Sequence, residues 1–324
     1  MPEEKLKVSV VILTRNSAAT IRKCLESILH QTRKPDEIII VDGSSVDGTL
    51  DIVKHFPVKI FSEPGLGYGH ARNIGVQKAE GDIVFFIDAD CYAEPDWIEK
   101  ILPHFKNSDI AAVTGRLNLW NREDACARFL AYVGGRMNPP AHQQLVEIAP
   151  TMNLAFRRNV VFEVGWFDES MARCEDTDFT YRLTRRYKLL YEPEAVVWFR
   201  GSPNVWTATR KCIRHFIGVG QLFAKHGFKK QFVRLNLPVR GLILVVAITS
   251  LLTLPFYVPA TLLFILLMEF LYKTVKMYLR YHDRCVIYYV VFFTFWSLAS
   301  FAIIYGLCRG LRKRHQNTLP TPRN

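Results

Sequence analysis

The seven cysteines of this 324-residue chain form no Cys-x-x-Cys pair. They stand singly at positions 24, 91, 126, 174, 212, 285 and 308, an odd number. That argues against a structural zinc site and a disulfide framework, and a reducing compartment is the expectation. Internal repeats and low-complexity tracts are missing, and a 49% hydrophobic share excludes a disordered chain. The glycine spacing in GLGYGHARNIGV is not that of a dinucleotide fingerprint. The start, MPEEKLKVSVVILTRN, runs straight into a strand, so no signal peptide and a cytoplasmic catalytic part are expected.

Acidic residues nearly vanish after Arg200. That stretch holds 17 Lys+Arg against 2 Asp+Glu, leaving 25 against 28 before it. The +12 net charge therefore comes entirely from the end of the chain. The basic residues flank apolar runs and form neither a helix-turn-helix nor an aromatic stacking motif, so anionic lipid is the expected partner and nucleic acid is not. Residues 241–272 carry one charge, Glu269, and are interrupted by Pro255 and Pro259. Residues 286–308 carry none. A span needs roughly 20 apolar residues, so two or three transmembrane helices are expected, with a multi-pass membrane location. Two spans leave the basic loop 273–284 outside, and three leave the basic tail 309–315 outside. Each violates the positive-inside rule once, and three is the reading adopted. The expected division is a catalytic domain over 1–204, a basic amphipathic region over 205–240, membrane helices over 241–310 and a basic tail over 311–324.

The first 120 residues alternate strand and helix signals. Apolar runs at Val8–Thr14, 37–41, 58–61 and 83–87 read as strands. Residues 18–31, capped by Ser17, together with 49–55, 69–78 and 95–105, read as helices. Later come strand signals at 111–119, 152–156 and 189–199 and a helix at 176–187. This order predicts an α/β fold: a mostly parallel sheet with helices on both faces, whose ligands bind beyond the carboxyl ends of the strands.

Four constellations sit at those ends. Thr14, Arg15 and Asn16 follow the first strand. Asp42 ends the second, before a Gly43-Ser44-Ser45 turn, and its carboxylate suits the imide N–H of uracil or the N1–H and amino group of guanine. In FFIDADCY, Asp88 and Asp90 follow a buried strand. Two neighbouring carboxylates there need a cation, and a hard divalent ion bridging diphosphate oxygens provides it. Arg72, in the ARN element, can reach a phosphate or a D-x-D carboxylate. In RCEDTDFTYRL, Glu175, Asp176 and Asp178 open a helix. Three acids in four residues exceed what a cap requires, so at least one is a candidate general base. Asp47 reads as turn chemistry.

VSVVILTRN, VDGSSVDGT, the ARN element, GDIVFFIDAD, MNLAFRRNVVFEVGWFDE and CEDTDFTYRL occur in the order and spacing of the family 2 glycosyltransferases, which residues 7–187 resemble. The resemblance implies the GT-A nucleotide-diphospho-sugar transferase fold and an inverting single displacement with Mg²⁺ or Mn²⁺. It also implies donor-base contacts at Asp42, metal and diphosphate contacts at Asp88 and Asp90, and a catalytic base at Asp176. Many similar proteins carry a second aspartate where this chain has Gly43. A Q-x-x-R-W motif is missing from TRKCIRHF at 209–216, which disfavours processive synthesis. A His often follows the last strand in this family; here Arg200 stands near that place, and Arg200, Lys211 or Arg214 can neutralise a diphosphate instead. The expected activity is non-processive transfer from a nucleotide-sugar donor to a polyprenyl-linked or other membrane-proximal acceptor. A soluble polysaccharide or peptide acceptor, or a degenerate sugar-nucleotide-binding scaffold, are the alternatives. A nucleotidyltransferase is disfavoured because its Gly-rich N-terminal phosphate loop is missing.

Overall fold

The computed structural model describes residues 6–133, 139–202, 204–232 and 305–311. They fall into two compact units: Met1–Trp120 with Arg136–Met171 and Glu175–Arg200, and Asn121–Gly135 with Ala172–Cys174 and Gly201–Asn324.

The first unit opens with β1 (Val8–Thr14), α1 (Ile21–Leu29), β2 (Glu37–Asp42), α2 (Thr49–Val53), β3 (Lys59–Ser62), α3 (Tyr68–Lys78) and β4 (Ile83–Asp88). β5 (Cys91–Ala93), α4 (Trp97–Ile101) and β6 (Ile110–Leu119) follow. After α5 (Ala125–Val133), which belongs to the second unit, come β7 (Gln144–Leu145), β8 (Leu154–Arg157), α6 (Val160–Val164), α7 (Glu175–Leu183) and β9 (Lys188–Phe199).

Every residue of β1 is buried, which requires cover on both faces of the sheet. Val11, Leu13, Ile39, Val41, Val84 and Phe86 share one core cluster with Phe156, Val160, Phe167, Phe179 and Leu183. There α6 and α7 cover the sheet, and the Phe167 and Phe179 rings stack at 4.3 Å. Successive strand residues alternate faces, so Val10, Ile12, Ile38, Ile40, Phe85 and Ile87 point the other way. They are buried too, with Trp97 of α4 edge-on to Phe85 at 5.0 Å. The expected α/β layering with helices on both faces is present.

The sheet is mixed, not mostly parallel. Its order is β3-β2-β1-β4-β8-β6-β9-β5, with β7 beside β9. β1 to β4 form a parallel set, and β6 runs parallel to β9. β8 is antiparallel to both β4 and β6, and β5 and β7 are antiparallel to β9. An apolar run marks a strand but carries no sign of its direction, which the connections decide. The β6–β9 ladder shifts register between Gly115 and Arg116. A Cβ on Gly115 would stand 2.0 Å from the Ala195 carbonyl oxygen, so the bulge needs glycine. Asn153 ties it down, donating to the Arg116 and Ala195 carbonyls and accepting from Trp97 Nε1.

Several helix limits differ from expectation. α1 starts at Ile21, not 18. Residues 17–20 form a turn in which the Ser17 carbonyl accepts from the Thr20 and Ile21 amides, while the Ser17 hydroxyl turns to the Arg15 carbonyl. The helix expected over 95–105 stops at Ile101 and continues as a 3-10 turn, Leu102–Lys106. Pro103 has no N–H for the α-helical ladder. α7 ends at Leu183, where the Arg185 and Arg186 amides tighten to i−3 bonds.

In the second unit, α8 (Val205–His226) covers most of the basic stretch. Asn204 caps it, accepting from the Thr207 amide at 2.9 Å. Gly218 permits close approach to residues 172–174, since a Cβ there would stand 2.3 Å from the Arg173 carbonyl. Cys174 has φ +67°, and its Sγ lies 3.4 Å from His215 Nδ1. Residues 305–311 are helical, and Gly306 and Gly310 meet Ile217 and Ala224 of α8. Among the described residues no helix is long and apolar enough to cross a membrane. The run 241–272 and all but the last four residues of the run 286–308 lie outside the described residues.

Candidate active site

Thr14, Asp42 and Asp88 close three adjacent parallel strands. Thr14 pairs with Asp42 and Leu13 with Asp88. Neighbouring strands lie about 4.8 Å apart, so the two aspartates stand roughly 10 Å apart on either side of β1. By alternation Thr14 and Asp42 lean to the α4 face and Asp88 to the other. A ligand touching both carboxylates must lie across the end of β1, where open α/β sheets bind ligands. Among the described residues the buried Thr14 hydroxyl at that end has no hydrogen-bond partner.

Two loops are laced together at this edge. Asp42 is buried; its Oδ2 accepts from the Ser45 amide at 2.9 Å and its Oδ1 from the Ser45 hydroxyl at 2.5 Å. The Ser45 hydroxyl also accepts from the Asn16 amide, and Asn16 Oδ1 accepts from the Val46 amide. Asn16 and Ser44 hold φ of +52° and +61°. Asn takes this conformation more readily than most residues, and the cross-loop bonds hold both. Asp47 closes the turn, accepting from the Ala18 amide and from Thr49. Its carboxyl is held below the usual range by the Thr49 hydroxyl first and the Ala18 amide next. Arg15 is exposed, with its stem lying across Gly43.

Glu63 is a buried carboxylate at this edge that the sequence reading missed. It follows β3; its amide donates to the Asp42 carbonyl at 2.7 Å, and its Oε1 accepts from the Leu66 and Gly67 amides. The available signal was an acid between a strand end and a Pro-Gly turn, SEPG.

Asp88 and Asp90 are half-buried. Arg200 reaches this pair through its backbone, its amide donating to the Asp90 carbonyl at 2.9 Å. Two buried thiols lie alongside. Cys24 Sγ is 3.6 Å from the Asp88 carbonyl and Cys91 Sγ 3.6 Å from Asp90 Oδ1. Burial first, then the fields of Asp90 and Asp88, push both thiols well above their ordinary range. Among the described residues no group of three His, Cys, Asp or Glu side chains gathers as a metal cage. Mg²⁺-type sites use one or two carboxylates and complete their shell with phosphate oxygens and water. The paired Asp88 and Asp90 carboxylates fit that kind of site.

α3 starts at the same edge, after β3, and its Gly75 packs against Val11 in the middle of β1. Arg72 stands one turn into α3. It forms a buried ion pair with Glu175, the first residue of α7. The next residue, Asn73, clamps the Phe167 backbone with both ends of its amide. The Arg72–Glu175 contact carries the start of α7 to the edge where α3 begins. Glu175 Oε2 is buried, with no hydrogen-bond partner among the described residues. Asp176 is half-buried, and one of its oxygens accepts from the Thr177 amide at 2.7 Å. Asp178 is fully buried and paired with Arg182 at 2.9 Å, a structural role. Arg214 lies in the second unit, exposed on α8.

Residues 9–161 match the family described as Glycosyl transferase family 2. The chain is 29% identical over 187 residues to glycosyltransferase AglE of Haloferax volcanii, covering 55% of this chain and 61% of that one. Thus it spans about three fifths of that relative's length. It is 30% identical over 205 residues to the uncharacterized glycosyltransferase YwdF of Bacillus subtilis, covering 61% and 75%. Among solved structures, mannosyltransferase PcManGT from Pyrobaculum calidifontis, in complex with GDP-Man and Mn²⁺, superposes with a TM-score of 0.61 at 18% identity. That superposition covers 97% of this chain and 89% of the other, a likeness of fold. The D-x-D strand end and the parallel half of the sheet both fall inside the matched segment, and the chain belongs to glycosyl transferase family 2.

Proposed function

We propose that the chain is a membrane-anchored, inverting and non-processive glycosyltransferase. It moves one sugar from a nucleotide-sugar donor to a polyprenyl-linked or other membrane-proximal acceptor. The observation that carries this reading is the alignment of Thr14, Asp42 and Asp88 on three adjacent strand ends, with the start of α7 tied to α3 near the same edge.

Asp42, fixed in rotation by Ser45, accepts hydrogen bonds from the donor base, and the Thr14 hydroxyl faces the nucleoside. Asp88 and Asp90 would hold Mg²⁺ or Mn²⁺, which would supply positive charge to offset that of the nucleoside diphosphate leaving group. Arg200, whose amide bonds the Asp90 carbonyl, is the candidate cation for the diphosphate. Asp176 takes the proton of the incoming acceptor hydroxyl as that oxygen attacks the anomeric carbon. PcManGT, which shares the fold, was crystallised with GDP-Man and Mn²⁺, in keeping with a metal-assisted donor site here. The basic, apolar composition after Arg200 supports the membrane location.

The experiment uses membranes bearing the full chain, polyprenyl phosphate and a panel of labelled nucleotide sugars, scored by label entering the lipid phase. Asp176→Asn is expected to keep donor binding and lose transfer by roughly 10²–10⁴-fold, the usual contribution of a positioned base. Full transfer by Asp176→Asn would remove Asp176 from the mechanism. No lipid labelling from any donor would remove the lipid acceptor.

A further inference from the structure

α8 has two unlike sides. Ala208, Phe216, Val219, Leu222 and Phe223 recur at helical spacing and are buried. On the other side, its N-terminal half presents Trp206, Arg210, Lys211 and Arg214. All four are exposed, Trp206 by 75%. Trp206, Arg210 and Arg214 follow one another four residues apart, and Lys211 adjoins Arg210. They form one patch about 12 Å long on the helix surface. No Asp or Glu occurs from residue 201 to residue 268, so nothing in that stretch offsets the three cations. Lys211 and Arg214, expected at the diphosphate, both belong to this exposed face.

We propose that this patch of α8 is an interfacial surface that lies against anionic phospholipid headgroups. The inference rests on the reading of the chain as membrane-anchored, and adds a charge-selective contact separate from the anchor. Arg and Lys carry their charge on long stems that reach headgroup phosphates. An indole is well placed at headgroup level, where its ring meets the apolar boundary and its N–H stays wet. The apolar side of α8 is already buried, so charge and not insertion supplies the attraction. Fourteen residues, 227–240, separate the end of α8 from the apolar run that starts at Gly241. Extended at about 3.5 Å per residue they reach about 50 Å, so α8 and a bilayer holding that run are within reach of each other. A duplex-binding face makes roughly 6–10 phosphate contacts, and the cations of this patch are too few for that.

The test places the full chain in phosphatidylcholine vesicles, with and without phosphatidylglycerol, and uses brominated lipid to quench tryptophan emission. The difference between wild type and Trp206→Phe isolates the emission of Trp206. That emission should be quenched when phosphatidylglycerol is present, spared when it is not, and released as salt is raised. One basic residue near an anionic surface is worth about a fivefold shift in binding. Arg210→Gln, Lys211→Gln and Arg214→Gln combined should therefore lower the ratio of docked to undocked helix roughly a hundredfold. Glutamine is a good helix former and all three positions are exposed, so the thermal midpoint should stay in place. Equal quenching in both kinds of vesicle, quenching in neither, or quenching that salt leaves unchanged overturns the proposal while the anchor reading stands. Quenching restored by traces of polyprenyl phosphate in otherwise neutral vesicles assigns the patch to a substrate and overturns it. Tighter binding of a DNA duplex than of the anionic vesicles overturns it in favour of nucleic acid. If flotation recovers the chain with neither kind of vesicle, the membrane reading itself fails, and this inference with it.

Discussion

Replacing Arg72 with methionine isolates the contact that ties α7 to α3. The side chains of Arg72 and Glu175 are 5% and 4% exposed, so water does little to screen either charge. Methionine keeps much of the arginine stem's volume but leaves the Glu175 carboxylate buried without its cation. Among the described residues Glu175 Oε2 has no hydrogen-bond partner. Removing one partner of a buried pair costs about 3–5 kcal/mol. Removing both charges, as in Arg72→Met with Glu175→Leu, should restore most of that loss, and the double-mutant cycle gives the coupling directly. Denaturant unfolding followed by tryptophan fluorescence is a suitable assay, because Trp97 is fully buried in the same unit. A loss below about 1 kcal/mol in Arg72→Met would refute the claim that the pair is desolvated. Activity adds a second readout. If the doubly substituted chain regains stability and transfer together, the pair only positions Asp176. If stability returns without transfer, one of the two side chains also contacts substrate.

Two further outcomes follow from packing and charge. Gly75→Ala puts a Cβ 2.4 Å from Val11 Cγ1 on a fully buried strand. It should destabilise by about 1–3 kcal/mol through overpacking, visible as a lower denaturant midpoint, and an unchanged midpoint would show that α3 can shift off β1. Glu37 governs part of the acid limb. Burial raises its pKa, but hydrogen bonds from Lys59, Ser9 and the Glu80 amide outweigh burial and leave it lowered. A lowered folded-state pKa gives stability that is present above the unfolded value near about 4.3 and is lost as pH falls through the folded one. Glu37→Gln should therefore be less stable at neutral pH, by a few tenths to about 1 kcal/mol given partial solvation, with a flatter decline below pH ~4.3. An acid limb identical to wild type would exclude Glu37 as its source.

The sequence by itself determined the strands and the residues at their ends. Continuous apolar runs such as Ile83–Asp88 can be satisfied only between two covered faces, so their burial and their polar terminators were legible without coordinates. It also singled out Asp42, Asp88 and Asp90, because charge directly after a buried run is unusual, Asp176 as one of three acids in four residues, and Arg72 within the ARN element. What it could not carry was direction and partnership. β8 runs against its neighbours, and hydrophobic pattern has no arrow. Arg72 meets Glu175 across a hundred residues of chain, and Glu63 comes to rest over Gly43 from a different strand. Such contacts depend on how α3, α7 and β3 dock on the sheet, and tertiary packing alone sets those distances.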